Sequence, residues 1–184
     1  MREETKLKLM LYFTIGYTTF FTINALIKKN YEFLYYTSLM ILLIYLIMLF
    51  QQKIYLPTIL IGGLTLLGAL HMLGGNVYRG KTRLYDLWLI KNILRYDNFV
   101  HLIGMITITF IIYNVFFSFF NQKIKQNKFL FFLILILISL GVGSLNEIIE
   151  FGAVLFFNAA KGVGDYYNNA WDLVFNLIGA TIAS

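Results

Sequence analysis

Six ionisable side chains interrupt stretches of this chain that are otherwise nearly pure hydrocarbon: His71, Asp97, His101, Glu147, Glu150 and Asp172. Two imidazoles and four carboxylates make a donor set suited to zinc, manganese or non-haem iron. Asp97 and His101 stand at i and i+4, so both can reach one ion from one helix. Glu147 and Glu150, at i and i+3, can add a ligand or a general base. A zinc ion with three such ligands and a water is hydrolytic, because the metal lowers the water pKa to about 7. The expected metal ligands are therefore His71, Asp97 and His101, with Asp172 completing the set as a ligand or orienting group. Glu147 and Glu150 are the expected catalytic carboxylates.

The signal lies in convergence, since no local motif is diagnostic. The Glu-x-x-His pair of bundle di-iron proteins and the His-Glu-x-x-His of zincins are both absent. Gly162 and Gly164 lack the strand, the downstream glycine and the acidic partner of a dinucleotide loop, and read as a turn. No spacing supports Ser139 or Ser144 as a nucleophile beside a histidine. There are no cysteines, which excludes disulfides, thiolate metal sites and a cysteine nucleophile.

The elements that must position these groups are transmembrane helices. The chain of 184 residues is 59% hydrophobic and 13% charged, with mean hydropathy +0.73, a balance that belongs to an integral membrane protein. About 20 apolar residues cross a bilayer as a helix. Six candidate spans follow: Leu7–Ile27, Phe33–Phe50, Tyr55–Leu73, Asp97–Phe120, Phe129–Phe157 and Tyr166–Ser184. The fifth is long enough to require a tilt, or a break near Gly141 or Gly143. Between the third and fourth, residues 74–96 alternate Leu84, Leu87, Trp88, Ile93 and Leu94 with Asp86, Lys91 and Arg95. That spacing predicts an amphipathic helix in the interface, with Trp88 at headgroup level. The expected fold is all-α: one polytopic domain over residues 1–184, six transmembrane helices and this interfacial segment.

Hairpin connectivity brings the six ionisable residues into one half of the bilayer, whichever way the chain inserts. His71 ends the third span, Asp97 and His101 begin the fourth, Glu147 and Glu150 lie late in the fifth, and Asp172 lies early in the sixth. Small residues continue the same stripes: Gly68 and Gly75 beside His71, Gly104 below His101, Ser139 and Gly143 below Glu147, Gly179 and Ala183 below Asp172. Small residues let membrane helices approach closely, so the polar faces point into the bundle.

Each buried charge costs about 2.5–3.5 kcal/mol on insertion scales. Hydrogen bonds between polar side chains hold membrane helices together at roughly 1 kcal/mol each, and an isolated Asn114, Asn146 or Asn176 needs no other explanation. The carboxylate excess does. A cation, shared protons, or Arg95 or Arg79 from the connector must balance it. Three readings stay open: a metal-dependent membrane enzyme acting on a lipid or other amphiphile, a proton or metal-cation transporter, and a structural or partner-binding protein.

The blocks His71-x-x-Gly74, Tyr96-Asp97-x-x-x-His101-x-x-Gly104, Glu147-x-x-Glu150, Gly164-Asp165 and Trp171-Asp172 followed by Gly179-Ala180 resemble the YjdF-like family of prokaryotic inner-membrane proteins. The last block is more weakly similar to VanZ-like membrane proteins. The resemblance implies the membrane topology and the same polar residues, and implies no reaction. The chain departs from the family pattern at Asn98, where the pattern carries a basic residue, and at Asn168 and Ala170, where it carries an acidic residue and a glutamine. It also has only Val77-Tyr78-Arg79 in place of an aromatic-rich segment. These departures are expected to touch the loop-side periphery.

The net charge of +6 fits interfacial Lys and Arg near lipid headgroups, with no nucleic-acid partner implied. An N-terminus inside the cell places Arg2, Lys6, Lys8, Lys53, Lys123, Lys125 and Lys128 on the cytoplasmic side. The other side then carries Lys28, Lys29 and Lys161, besides the five basic residues of the connector. With the connector set aside, the positive-inside rule favours a cytoplasmic N-terminus in the inner membrane.

Overall fold

The computed structural model describes residues 2–184, except that the side chains of 51–53 lie outside the described residues. The polar cluster Gln51-Gln52-Lys53, which lies between the candidate spans Phe33–Phe50 and Tyr55–Leu73, therefore has no side-chain account. The helix itself runs on past it.

Long apolar runs without interior proline form the helices, and short polar clusters end them. Helix α1 (Glu3–Ile27) stops at Lys28 and Lys29, the latter with a left-handed φ of 54°. Asn30 then starts α2 (Tyr31–Ile54) by accepting the N–H of Phe33 at 3.2 Å. Pro57 precedes α3 (Thr58–Asn76), where a missing N–H is harmless. Helix α4 (Tyr96–Phe116) ends in a tight turn at Phe117–Phe119. A short α5 (Gln122–Gln126) leads to α6 (Lys128–Phe157), then α7 (Ala160–Val163) and α8 (Tyr166–Ala183).

Five of these helices are long and apolar enough to cross a membrane: 3–27, 31–50, 58–76, 96–119 and 128–157. The polar face of α8 leaves it outside that set. Helix α6, with 30 residues, is about 45 Å long against a hydrocarbon core of about 30 Å. It does not break at either glycine. Gly141 faces open space, while a methyl group on Gly143 would stand 2.9 Å from the Asn176 amide nitrogen. The second glycine thus serves close approach to α8 and no kink.

The segment before α4 corrects the expected interfacial helix. It folds as two antiparallel hairpins, β1 (Tyr78–Arg79) with β2 (Thr82–Arg83) and β3 (Trp88–Ile90) with β4 (Leu94–Arg95). Gly80, with φ +65°, and Asn92, with φ 60°, turn the chain back at the two tips. The alternation that imitates a helical stripe instead leaves Trp88, Leu89, Ile90 and Ile93 exposed. Backbone bonds from Tyr85 N–H to Gly74 O (3.0 Å) and from Tyr96 N–H to Leu87 O (2.9 Å) tie the hairpins to the ends of α3 and α4.

Among the described residues the helices pack at three centres, one of them Ala153, Ala159 and Val163, which join α6 and α7 to Tyr35 and Tyr36 of α2. Phe21, Ala25, Phe33 and Met72 join α1, α2 and α3. Met105, Ile136 and Ala180 join α4, α6 and α8. Helix α8 lies hard against α4, where a methyl group on Gly179 would come within 2.6 Å of the Leu102 carbonyl oxygen. Outward-facing Leu42, Leu43, Ile59, Leu137 and Ile148 remain exposed, as suits contact with lipid.

Candidate functional site

The site forms where the first turns of α4 and α8 meet the later half of α6. Asn98 closes the start of α4 by accepting the Arg95 N–H at 3.2 Å. Asp165 does the same for α8 by accepting the Asn168 N–H at 3.0 Å. These caps fix the register at which Asp97 and His101, and one helix away Asp172 and Asn176, enter the interior.

His101 is the centre, with a side chain only 9% exposed. Its Nε2 lies 3.8 Å from Asp97 Oδ1, 3.8 Å from Asp172 Oδ1 and 4.0 Å from Glu150 Oε1. Its Nδ1 lies 3.7 Å from Glu147 Oε1 and 3.1 Å from Asn176 Oδ1. An amide oxygen only accepts, so Nδ1 carries a proton; in the neutral ring Nε2 then presents a lone pair, and in the imidazolium it carries a second proton. Nε2 faces three carboxylates, an arrangement that requires a proton or a metal ion between them.

Amides hold the carboxylates in place. Asp172, with no exposed side-chain surface, accepts from Asn98 and Asn168, each at 2.9 Å. Asn168 also donates to Asp97 at 3.2 Å. Glu147 accepts from Asn169 at 3.3 Å and Glu150 from Asn146 at 2.8 Å. The Oε1 of Glu147 and the Nδ2 of Asn176 are buried without a hydrogen-bond partner. Asn98 and Asn168 are two of the positions at which the sequence is expected to depart from the family pattern. They stand inside the site and not at its periphery, which corrects that expectation. Their role was invisible in the sequence because it depends on contacts more than 70 residues apart.

Five of the six expected residues converge. Ligand atoms of Asp97, His101 and Asp172 lie within 4.8 Å of one another, as do those of His101, Glu147 and Glu150. His71 is in neither group. Its Nδ1 is 2.5 Å from the Tyr85 hydroxyl, and its ring stacks on Phe33 at 5.6 Å. Tyr85 arrives from the connector, whose hairpin fold the spacing concealed. Burial raises its pKa well above the ordinary tyrosine value, and the charges of Asp97 and Glu150 push it the same way. The hydroxyl therefore stays protonated beside His71.

The connector arginines do not balance the carboxylates. Arg83 is spent on Glu32 (3.2 Å), on Asp86 (3.8 Å) and on a short bond to the Gly162 carbonyl. Burial works against its charge, yet Glu32 and Asp86 outweigh that and hold its pKa above the usual value. Arg95 lies over the Trp88 ring at 4.8 Å and donates to Asn168 Oδ1 at 3.1 Å. Among the described residues, His101 is the one ion-pair partner of Asp97, Glu147, Glu150 and Asp172.

Comparison with known families matches residues 9–184 to a family described as "Predicted membrane protein (DUF2238)". It is the YjdF-like family that the motifs resemble. No curated protein and no solved structure matches the chain.

Proposed function

The chain belongs to the DUF2238 family of predicted membrane proteins, and on that premise we propose that it is a membrane-embedded, metal-dependent enzyme of hydrolase type acting on a lipid or another amphiphile. The observation that carries this reading is what the two ring nitrogens of His101 face. Asn176 holds the proton on Nδ1, and Nε2 faces Asp97 and Asp172 with no arginine or lysine among them. A metal-bound histidine typically donates its other N–H to an oxygen in this way. Asp97, His101 and Asp172 would hold a zinc, manganese or iron ion, which would supply an activated water for hydrolysis. Glu147 and Glu150, on the facing helix, would take and return the proton of that water. Elemental analysis of detergent-purified protein tests the premise: about one divalent transition metal per chain is expected. None in native protein, and none gained on reconstitution, removes it.

Helix α8 is the sixth crossing in this reading. Its exposed Leu173, Val174, Leu177, Ile178 and Ile182 suit lipid, while Asp172, Asn176 and Gly179 are buried against α4 and α6. The chain then lies in the inner membrane with both termini cytoplasmic, and the site opens to the opposite face.

A proton or cation path is the alternative, and it needs polar groups beyond the site. Two turns further along α4, Thr109 donates to Ser139 at 2.9 Å, and both are wholly buried. Met105 and Ile112 on α4 and Leu135 and Ile136 on α6, each within a turn of the pair, are buried as well. So self-satisfied a pair in an apolar shell favours a pocket open on one side.

A further inference from the structure

We propose that the cleft beside the acidic site binds the phosphate group of an amphiphile, with Arg95 and Lys161 as its cationic contacts. This names the substrate class of the enzyme proposed above and rests on that reading. The cleft has a volume of about 550 Å³ and has Asp97 and Asn168 in its wall, so it communicates directly with the His101 site. Its charged groups differ in how they are committed. Asp86 faces Arg83 at 3.8 Å, and Asp165 caps α8. Arg95 and Lys161 form no ion pair with any carboxylate among the described residues. Although Asp86, Asp97 and Asp165 share the wall, Arg95 and Lys161 are left free to meet an anion that enters from outside. A phosphate offers the oxygens that a guanidinium and an ammonium bind by charge-assisted hydrogen bonds.

The same arginine supplies the argument for an amphiphile. Arg95 stands between the cleft and a smaller hollow lined by Trp88, Ile93, Tyr167 and Trp171. Leu89 and Ile90, which follow Trp88 in β3, are exposed. A ligand held by its phosphate at Arg95 therefore meets acid and amide groups on one side and an aromatic, lipid-like surface on the other. Tryptophan and tyrosine with arginine are the usual residues at headgroup depth. The Arg95–Trp88 stack, at 4.8 Å, holds the guanidinium at that boundary.

Equilibrium binding of dioctanoyl phosphatidic acid to the full chain in a neutral detergent, after treatment with a chelator, tests this. Saturable binding is expected, weakened at least about tenfold in Arg95→Gln and in Lys161→Gln, the size of one lost charge-assisted hydrogen bond. Lys161→Arg is expected to retain it. Dioctanoylglycerol and inorganic phosphate are expected to compete poorly. Unchanged affinity in Lys161→Gln, whose side chain is exposed and outside the fold's core, would overturn the proposal even if Arg95→Gln fails to fold. Equal competition by dioctanoylglycerol would overturn the phosphate, and equal competition by inorganic phosphate the amphiphile. Because the metal has been stripped, a negative result here leaves the metal reading standing. A protein that binds the lipid but never takes up metal would reverse the two.

Discussion

Asn176 takes the proton-bearing Nδ1 of His101 at 3.1 Å, and this one contact decides which face of the imidazole is free. The amide comes from α8 and the ring from α4, so the bond also locks the two helices in register. Gly143 on α6 leaves the room that the Asn176 side chain occupies.

Asn176→Ala is expected to lower metal affinity by roughly 10–100-fold, the usual cost of losing an orienting partner of a ligand histidine. Zinc or manganese titration of the stripped protein reads this directly. Asn176→Asp, which keeps an acceptor for Nδ1, is expected to retain most of the affinity. A pure helix-joining role for Asn176 would instead lower thermal stability and leave the affinity of the folded fraction alone.

His71 and His101 are expected to behave differently. His71→Ala should leave metal content unchanged, because Tyr85 and Phe33 hold that ring apart from both ligand groups. His101→Ala should abolish it. The stoichiometry of the two purified variants, side by side, distinguishes a ligand from a packing residue. Equal loss in both would return His71 to the ligand set that its sequence position suggested.

Much of this site was legible in the sequence, and the parts that were not share a cause. The apolar runs and short breaks prescribe the helices. Alternating hairpins then bring Asp97, His101, Glu147, Glu150 and Asp172 to one level, since connectivity and helical spacing are properties of the chain itself. Residues 74–96 misled because an amphipathic spacing is compatible with two hairpins once Gly80 and Asn92 adopt left-handed turns. That mistake hid Tyr85, and with it the separate fate of His71. The amides of Asn98, Asn168 and Asn169 were silent because each acts on a carboxylate of another helix.

Arg83 and Glu32 form a buried pair at 3.2 Å that ties the first hairpin to α2 and, through the Gly162 carbonyl, to the turn before α8. Arg83→Met is expected to destabilise the protein by about 3–5 kcal/mol, because Glu32 is left buried and unpaired. Adding Glu32→Gln should recover a large part of that loss. Thermal unfolding in detergent of the two single variants and the double variant gives the coupling.

The glycines of α6 and α8 make opposite predictions. Gly179→Ala should cost about 1–3 kcal/mol, since its methyl would press on the α4 backbone at Leu102. Gly141→Ala should be neutral or stabilising by about 0.5–1 kcal/mol, because it meets nothing and improves the helix. Unfolding midpoints of both variants in one detergent check the pair, and a destabilising Gly141→Ala would argue for the break in α6 that the structure lacks.

The chain has no cysteine, so single introduced thiols report topology without background. Lys161→Cys is expected to react with a membrane-impermeant maleimide from outside the cytoplasmic membrane, and Gln122→Cys only after permeabilisation. The reverse pattern would invert the chain and move the site to the cytoplasmic face.

The most direct test of the central claim is anomalous scattering at a metal edge from crystals of the metal-loaded protein. The account predicts one peak about 2.0–2.2 Å from His101 Nε2 and from a carboxylate oxygen of Asp97 and of Asp172, with Asn176 still bonded to Nδ1. A site without a peak, in which Nε2 carries a proton hydrogen-bonded to Asp97 or Asp172, would contradict it.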